Sequence, residues 1–410
     1  MLAIDGGKKL RQTPFPGRHL FGAEEREVVL SLFDQAAESG QAIGYGGPEE
    51  QAYEREFAAF LGGGYADLVN SGTAALYVAL GALELEPAGE VVVPPISDPG
   101  GVMPVALLNL VPVVADAAPG SFNAGAAEIE AVLTEHARAI IVAHIAGEPA
   151  DMDSILELAQ SRSLPVIEDC AQAHGALYKG RMAGAMGTLS AFSTMSGKHH
   201  ATGPQGGVVF TQDEDLYWRA KRFSDRGKPF NIDADSNVRA GLNLNGNDLS
   251  AAIGRVQLAK LPDIVRRRRA IAAQIYGGLD ALQAVSPGRE VEETKGVYWF
   301  LRFCVEADKL KVDKDAFARA VAAEGIPLAA SYRHIPSEAS WFRERKVFGN
   351  SDYPWGLPGY GGDREATFPC PRAVEAVESH FTMSIHENYG EREVEDILGA
   401  LKKVEEAYLR

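Results

Sequence analysis

Residues 165–169 read Pro-Val-Ile-Glu-Asp, and Lys198 follows in the small-residue stretch FSTMSGKHHATGPQGG at 192–207. The first segment is a short apolar strand that presents two acids where it ends. The second is a loop that carries one lysine among residues too small to hide it. Each has an ordinary reading alone, because acids often end strands where solvent begins and a lone lysine is usually a surface lysine. The flanking chain decides between these readings. Short apolar runs at 66–69, 90–93, 111–115, 139–143, 165–168, 190–193 and 207–211 are separated by helical stretches such as 151–162. Strands that are apolar without alternation belong to a parallel sheet covered on both faces. The expectation is an α/β fold with a mostly parallel seven-stranded sheet.

Outward from this core, residues 1–20 hold several Pro and Gly and read as an extended arm, followed by helices near 24–39 and 49–61. A long helical run covers 248–279. Its four adjacent arginines, Arg266 to Arg269, point in four directions, so they read as a solvated or subunit-contacting face rather than a nucleic-acid patch. Beyond 280 the pattern changes to a strand at 297–305, a helix at 313–325 and a C-terminal helix, a smaller α+β domain. The expected division is 1–262 for the arm and large domain and 263–410 for the small one.

The 410 residues are 46% hydrophobic and 23% charged, with a net charge of −16, which disfavours nucleic acid or an anionic membrane as partner. Cys170, Cys304 and Cys370 form no CxxC pattern and are odd in number, which fits a reducing compartment. The first residues lack the apolar core of a signal peptide, and the apolar stretch 101–115 is short and broken by Pro104 and Pro112. A cytoplasmic enzyme is expected.

Three groups of residues offer chemistry. Ser71-Gly72-Thr73 follows a strand and opens a helix, where free N–H groups and two hydroxyls can hold a phosphate or simply cap the helix. Asp169 ends the central strand, with Gln172 and His174 just beyond it. Lys198 supplies an amine, and Ser193 ends the strand before it. A carboxylate for a pyridine nitrogen, an amine for a Schiff base and a phosphate cradle are what pyridoxal phosphate needs from a protein. His199 and His200 are adjacent with no partner cluster, so no metal is expected. Tyr332, Arg333, His334 and Arg226 are weaker candidates for substrate contact.

FAAFLGGGYADLVNSGTAAL at 57–76, VIEDCAQAHGA at 166–176, GTLSAFSTMSGKHHATGPQGGVVFT at 187–211 and GLNLNGNDLSAAIGRVQLAKL at 241–261 together resemble the DegT/DnrJ/EryC1/StrS sugar aminotransferases. The resemblance implies the pyridoxal phosphate-dependent transferase fold type I, with the pyridoxamine form as intermediate. It implies Lys198 as the Schiff-base lysine, Asp169 at the pyridine nitrogen and Gln172 at the ring. Gly72, Thr73 and Ser193 would hold the phosphate, and Asn243 would reach the phosphate of a neighbouring subunit in a homodimer with shared sites. It further implies transfer of an amino group from glutamate or glutamine to a keto-sugar or keto-cyclitol, in aminosugar or antibiotic biosynthesis. Three positions depart from the family pattern. Asp98 stands where a stacking aromatic is usual, Gln205 where an acid is usual and Asn245 where an arginine is usual. Two alternatives remain: a dehydratase-like enzyme of the family, whose members usually replace the lysine with histidine, and a cofactor-binding regulatory protein without turnover.

Overall fold

Valine and isoleucine runs that lack polar alternation have no face to give to solvent, and they form the middle of the fold. Val91, Val93, Ile140 and Ile141 are all at most 2% exposed although neighbours along a strand point to opposite faces. The computed structural model describes residues 1–410. Its strands are β1 (Tyr65–Val69), β2 (Glu90–Val93), β3 (Val111–Val114), β4 (Ala137–Ala143), β5 (Val166–Asp169), β6 (Leu177–Tyr178), β7 (Arg181–Met182), β8 (Leu189–Ser193), β9 (Gly207–Thr211), β10 (Val285–Pro287), β11 (Thr294–Lys295), β12 (Phe300–Val305) and β13 (His380–Ser384).

Seven strands form the central sheet in the order β1-β9-β8-β5-β4-β2-β3. Pairing is parallel from β8 through β3, and β9 alone runs antiparallel to both of its neighbours. A smaller antiparallel sheet, β10-β12-β13, packs with the helices Lys314–Ala323 and Glu391–Tyr408. The expected α/β class with a smaller C-terminal α+β region is present.

The long helix Asp248–Gly278 begins where the Asn247 side chain accepts the Ser250 N–H at 2.9 Å. Its first half packs Ala251, Leu258, Leu261 and Val265 against Tyr53, Phe57 and Phe192. Its second half packs Ile271, Ala272 and Ile275 against Leu301, Phe303 and Phe381 of the small sheet. The helix is thus continuous across the expected 262/263 division. Ile335, Phe342, Trp355, Tyr360 and Val377 also rejoin the core of the central sheet, so part of the C-terminal half packs with the large body.

Two local expectations need correction. The strand anticipated over 297–305 starts only at Phe300, because the N–H groups of Val297 and Trp299 are used by the carbonyls of Gly147 and Ala146. Arg268 is not solvated: it is 2% exposed and its Nε donates to Glu387 at 3.0 Å. Arg269 is half-buried and donates to the carbonyls of Gly296, Gly175 and Lys295, whereas Arg266 and Arg267 face solvent. The N-terminal arm is docked along the small domain. Leu2 joins the small-domain core, and Arg11, 5% exposed, pairs with Glu393 and Asp396 of the C-terminal helix.

Candidate active site

The site lies where the parallel strands end, the usual ligand position in such sheets. Ser71 caps the helix Gly72–Ala82: its Oγ accepts from the Ala74 N–H at 3.1 Å and its carbonyl from the Ala75 N–H at 2.9 Å. The N–H groups of Gly72 and Thr73 in that first turn have no helical acceptor and face a cavity. Ser193, at the end of β8, closes the other side. A Cβ on Gly72 would sit 2.6 Å from the Ser193 Cβ, so only glycine lets the helix start approach the strand end this closely. These groups form an anion cradle.

The cavity is about 290 Å³ and also takes in Asp98, Gly100, Gly101, Asp169, Ala171, Gln172, Lys198, Gln205, Trp299 and Tyr332. Asp169 enters from the buried end of β5, where its Oδ1 accepts the Ala171 N–H at 3.0 Å. Burial pushes its carboxyl up, opposed by that N–H and by the Lys198 and His144 charges. Lys198 is 8% exposed. Burial pushes its amine down to about 8, against the pull of Asp169 and Asp98. Its Nζ lies 3.9 Å from the centroid of the Trp299 ring. A buried amine that is neutral for part of the time near neutral pH is both a nucleophile and a base.

Gln172 is fixed at both ends, accepting from the Ala146 N–H at 2.7 Å and donating to the Tyr332 hydroxyl at 3.0 Å. The indole N–H of Trp299 donates to the Gly197 carbonyl at 3.1 Å. Asp98 caps a short turn through the Gly100 N–H. Sequence reading missed Trp299, which looked like one member of a strand; the missing stacking aromatic at Asp98 was the signal to look for another ring.

The structure therefore brings Gly72, Thr73, Asp169, Gln172, Ser193 and Lys198 together in one cavity. Asn243 lies outside it, exposed, with its Oδ1 accepting from Asn245 at 2.8 Å. His174 is fully buried beside Phe192, His199 and His200 and does not line the cavity, which leaves Gln172 as the member of that pair at the site. Arg333 turns away to Glu338 and Glu378, and Arg226 pairs with Asp225 and Tyr45. His144, Glu168 and Cys170 cluster tightly enough to suggest a metal site. However, the His144 ring is used by Glu168 and the Ala150 N–H, and Glu168 also accepts from Gly184, Met186 and Gly187. This is a saturated structural network. A larger cleft of about 460 Å³ between 118–125 and 289–293 holds Asp151 and Lys179, which are paired with Tyr178 and Asp153 and offer no free amine.

Pyridoxal phosphate fits this donor set. The cradle suits its phosphate, the Gln172 amide its ring oxygen, the Asp169 carboxylate its pyridine nitrogen and the Lys198 amine its aldehyde. The comparisons with known proteins agree. The model of the DegT/DnrJ/EryC1/StrS aminotransferase family matches residues 23–354. GDP-perosamine synthase of Escherichia coli O157:H7 is 35% identical over 68% of this chain and 74% of its own length. L-glutamine:2-deoxy-scyllo-inosose aminotransferase of Micromonospora echinospora is 33% identical over 81% of this chain and 82% of its own. The crystal structure of an aminotransferase from Psychrobacter cryohalolentis superposes with a TM-score of 0.82 at 29% identity, covering 95% of this chain and 98% of that one. Fold, site chemistry and kinship thus converge: the chain belongs to the DegT/DnrJ/EryC1/StrS aminotransferase family, enzymes of fold type I that depend on pyridoxal phosphate.

Proposed function

We propose that this enzyme moves an amino group from glutamate or glutamine to a ketone on a sugar or cyclitol ring, acting in the cytoplasm as a homodimer. The observation that carries the reading is the buried Lys198 amine, pushed down to about 8, in one cavity with the Asp169 carboxylate and the anion cradle. Bound pyridoxal phosphate supplies an electron sink for the substrate α-carbon and carries the amino group between the two halves of the reaction.

The protein's own residues do the rest. The N–H groups of Gly72 and Thr73 and the hydroxyls of Thr73 and Ser193 would hold the phosphate. Asp169 would keep the pyridine nitrogen protonated. Gln172, locked by Ala146 and Tyr332, orients the ring without adding charge. Lys198 would hold the cofactor through its aldehyde carbon, and its amine, when free, would serve as the base that moves the donor's α-proton. The Trp299 face limits water around that amine. In a dimer, Asn243 of one copy would donate to the phosphate held by the other.

Glutamine as donor and a keto-cyclitol as acceptor are supported by one relative's name, and a nucleotide-linked sugar by another's. The protein loaded with pyridoxal phosphate should change its visible spectrum on adding L-glutamine or L-glutamate. It should then recover when a nucleotide-linked keto-sugar or 2-deoxy-scyllo-inosose is added, with an aminated product by mass. A spectrum unmoved by either donor refutes the proposal.

A further inference from the structure

The Lys198 segment is held by a closed circuit of contacts that includes parts of the chain far from the cavity. Arg18, on the N-terminal arm, donates from Nη1 to the Lys198 carbonyl at 2.6 Å and from Nη2 to the His199 carbonyl at 3.2 Å. Its Nε donates to Glu387 Oε1 at 2.9 Å. The other oxygen of Glu387 accepts from Arg268 Nε at 3.0 Å, and Arg268 Nη1 donates to the Tyr298 carbonyl at 3.0 Å. The next residue is Trp299, whose indole N–H holds the Gly197 carbonyl and whose ring lies against the Lys198 amine. The Glu387 carboxylate is 6% exposed and Arg268 2%. Burial works against that carboxylate, yet Arg268 and Arg18 together hold it below the ordinary range. Two elements distant in sequence therefore converge on one ionised group of a third, and both ends of the circuit finish on Lys198 or the residue before it.

We infer that Arg18, Glu387 and Arg268 are positioning residues for Lys198: Arg18 fixes its backbone, and Arg268 fixes the indole that shields its amine. The inference rests on the reading of Lys198 as the reacting amine. It also explains why the N-terminal arm is docked. His386 donates to the Pro16 carbonyl at 3.0 Å and Asn388 to the Arg18 carbonyl, so the arm is clamped where its guanidinium can reach the lysine loop. An arm that served stability alone would have no need to end on the Lys198 carbonyl.

Two readouts test this. One is the donor half-reaction of the holoenzyme, followed by absorbance. The other is acetylation of Lys198 in protein stripped of cofactor, quantified by peptide mass relative to the exposed Lys402. Arg18→Met should slow the half-reaction by about tenfold or more with little change in donor KM, as expected for a misplaced reacting group. It should also raise Lys198 acetylation relative to Lys402. Arg268→Lys, which keeps the charge at Glu387 but gives up a second donor, should fall between wild type and Arg18→Met. The double variant should be slower than either single, because Arg18 holds the Lys198 backbone and Arg268 holds the indole beside its amine. A folded Arg18→Met protein with wild-type half-reaction and acetylation overturns the inference, as does a double variant no slower than Arg268→Lys alone. Lys198→Ala separates the two claims: a wild-type half-reaction in that variant refutes the role of Lys198 itself, whatever the arginines do.

Discussion

Gly72→Ala tests the phosphate cradle with almost no change in chemistry. The added Cβ would lie 2.6 Å from the Ser193 Cβ and 3.1 Å from its Cα. Carbon atoms pack at about 3.5–4.0 Å, so the helix start or the end of β8 has to move by about 1 Å. Neither is free to do so. Ser193 pairs with Gly207 across the sheet, and the helix is buried along Ala75, Val78 and Ala79. The gap between the Gly72 and Thr73 N–H groups and the Ser193 hydroxyl should widen, and at least one donor to the phosphate should be lost. A hydrogen bond to a charged group contributes about 1.5–3 kcal/mol, so affinity for pyridoxal phosphate should fall roughly ten- to hundredfold. The assay is a titration of cofactor-free protein with pyridoxal phosphate, following absorbance and tryptophan quenching. Gly277→Ala is the control. Its Cβ meets nothing within 4 Å inside the long helix, so it should leave affinity unchanged and add up to about 1 kcal/mol of stability. An unchanged dissociation constant in a folded Gly72→Ala protein would refute the cradle.

The low Lys198 pKa carries a pH signature. Between about 8 and 10.5 the unfolded chain keeps a proton on this lysine that the folded protein has released, so cofactor-free stability should rise with pH through that window. The burden is fully present below about 8, and Lys198→Met should remove the rise, as read from urea midpoints across the pH range. Arg302 donates to Glu148 at 3.0 Å through Nε, with both side chains buried. Arg302→Met strands that carboxylate and should cost about 3–5 kcal/mol in urea unfolding. Burial already pushes the Glu148 carboxyl up, so the loss should be smaller at acid pH, where the stranded group takes a proton. If sites are shared between copies, hybrids of Asn243→Ala and Lys198→Ala chains contain one intact site, and mixing the two inactive proteins should restore measurable turnover. Mixtures no better than either parent would argue against Asn243 reaching across.

Much of the fold was legible because burial on two faces leaves a plain mark. β9 begins and ends where its apolar run does, and β5 ends on the acid that enters the cavity. Asp169, Lys198 and the Ser71-Gly72-Thr73 turn were readable because each chemical type sits at the end of an element. Trp299 was not, since VYWFLRFCV has the composition of a strand and only tertiary pairing with Ala146 and Gly147 shows that its first residues leave the sheet. Arg268 was hidden for a different reason. Four arginines in succession cover every side of a helix, and which one faces inward depends on a rotational phase fixed by partners more than a hundred residues away. The antiparallel direction of β9 was equally unreadable, because an apolar run carries no arrow.

That direction has a consequence for how the protein is made. β1 is an edge strand whose one ladder is with β9, and β9 in turn lies against β8, so the residues that follow β1 directly, the cradle at Gly72 and Thr73, cannot be seated until everything from Asn70 to Thr211 has left the ribosome. Until then the apolar strand β1, with Leu68 and Val69, has no ladder to join. Non-local closure of this kind slows folding and prolongs exposure of sticky surface, which makes early synthesis the vulnerable interval. The lysine loop lies just upstream of β9, so the two ends of the site should mature together, late and in a single step.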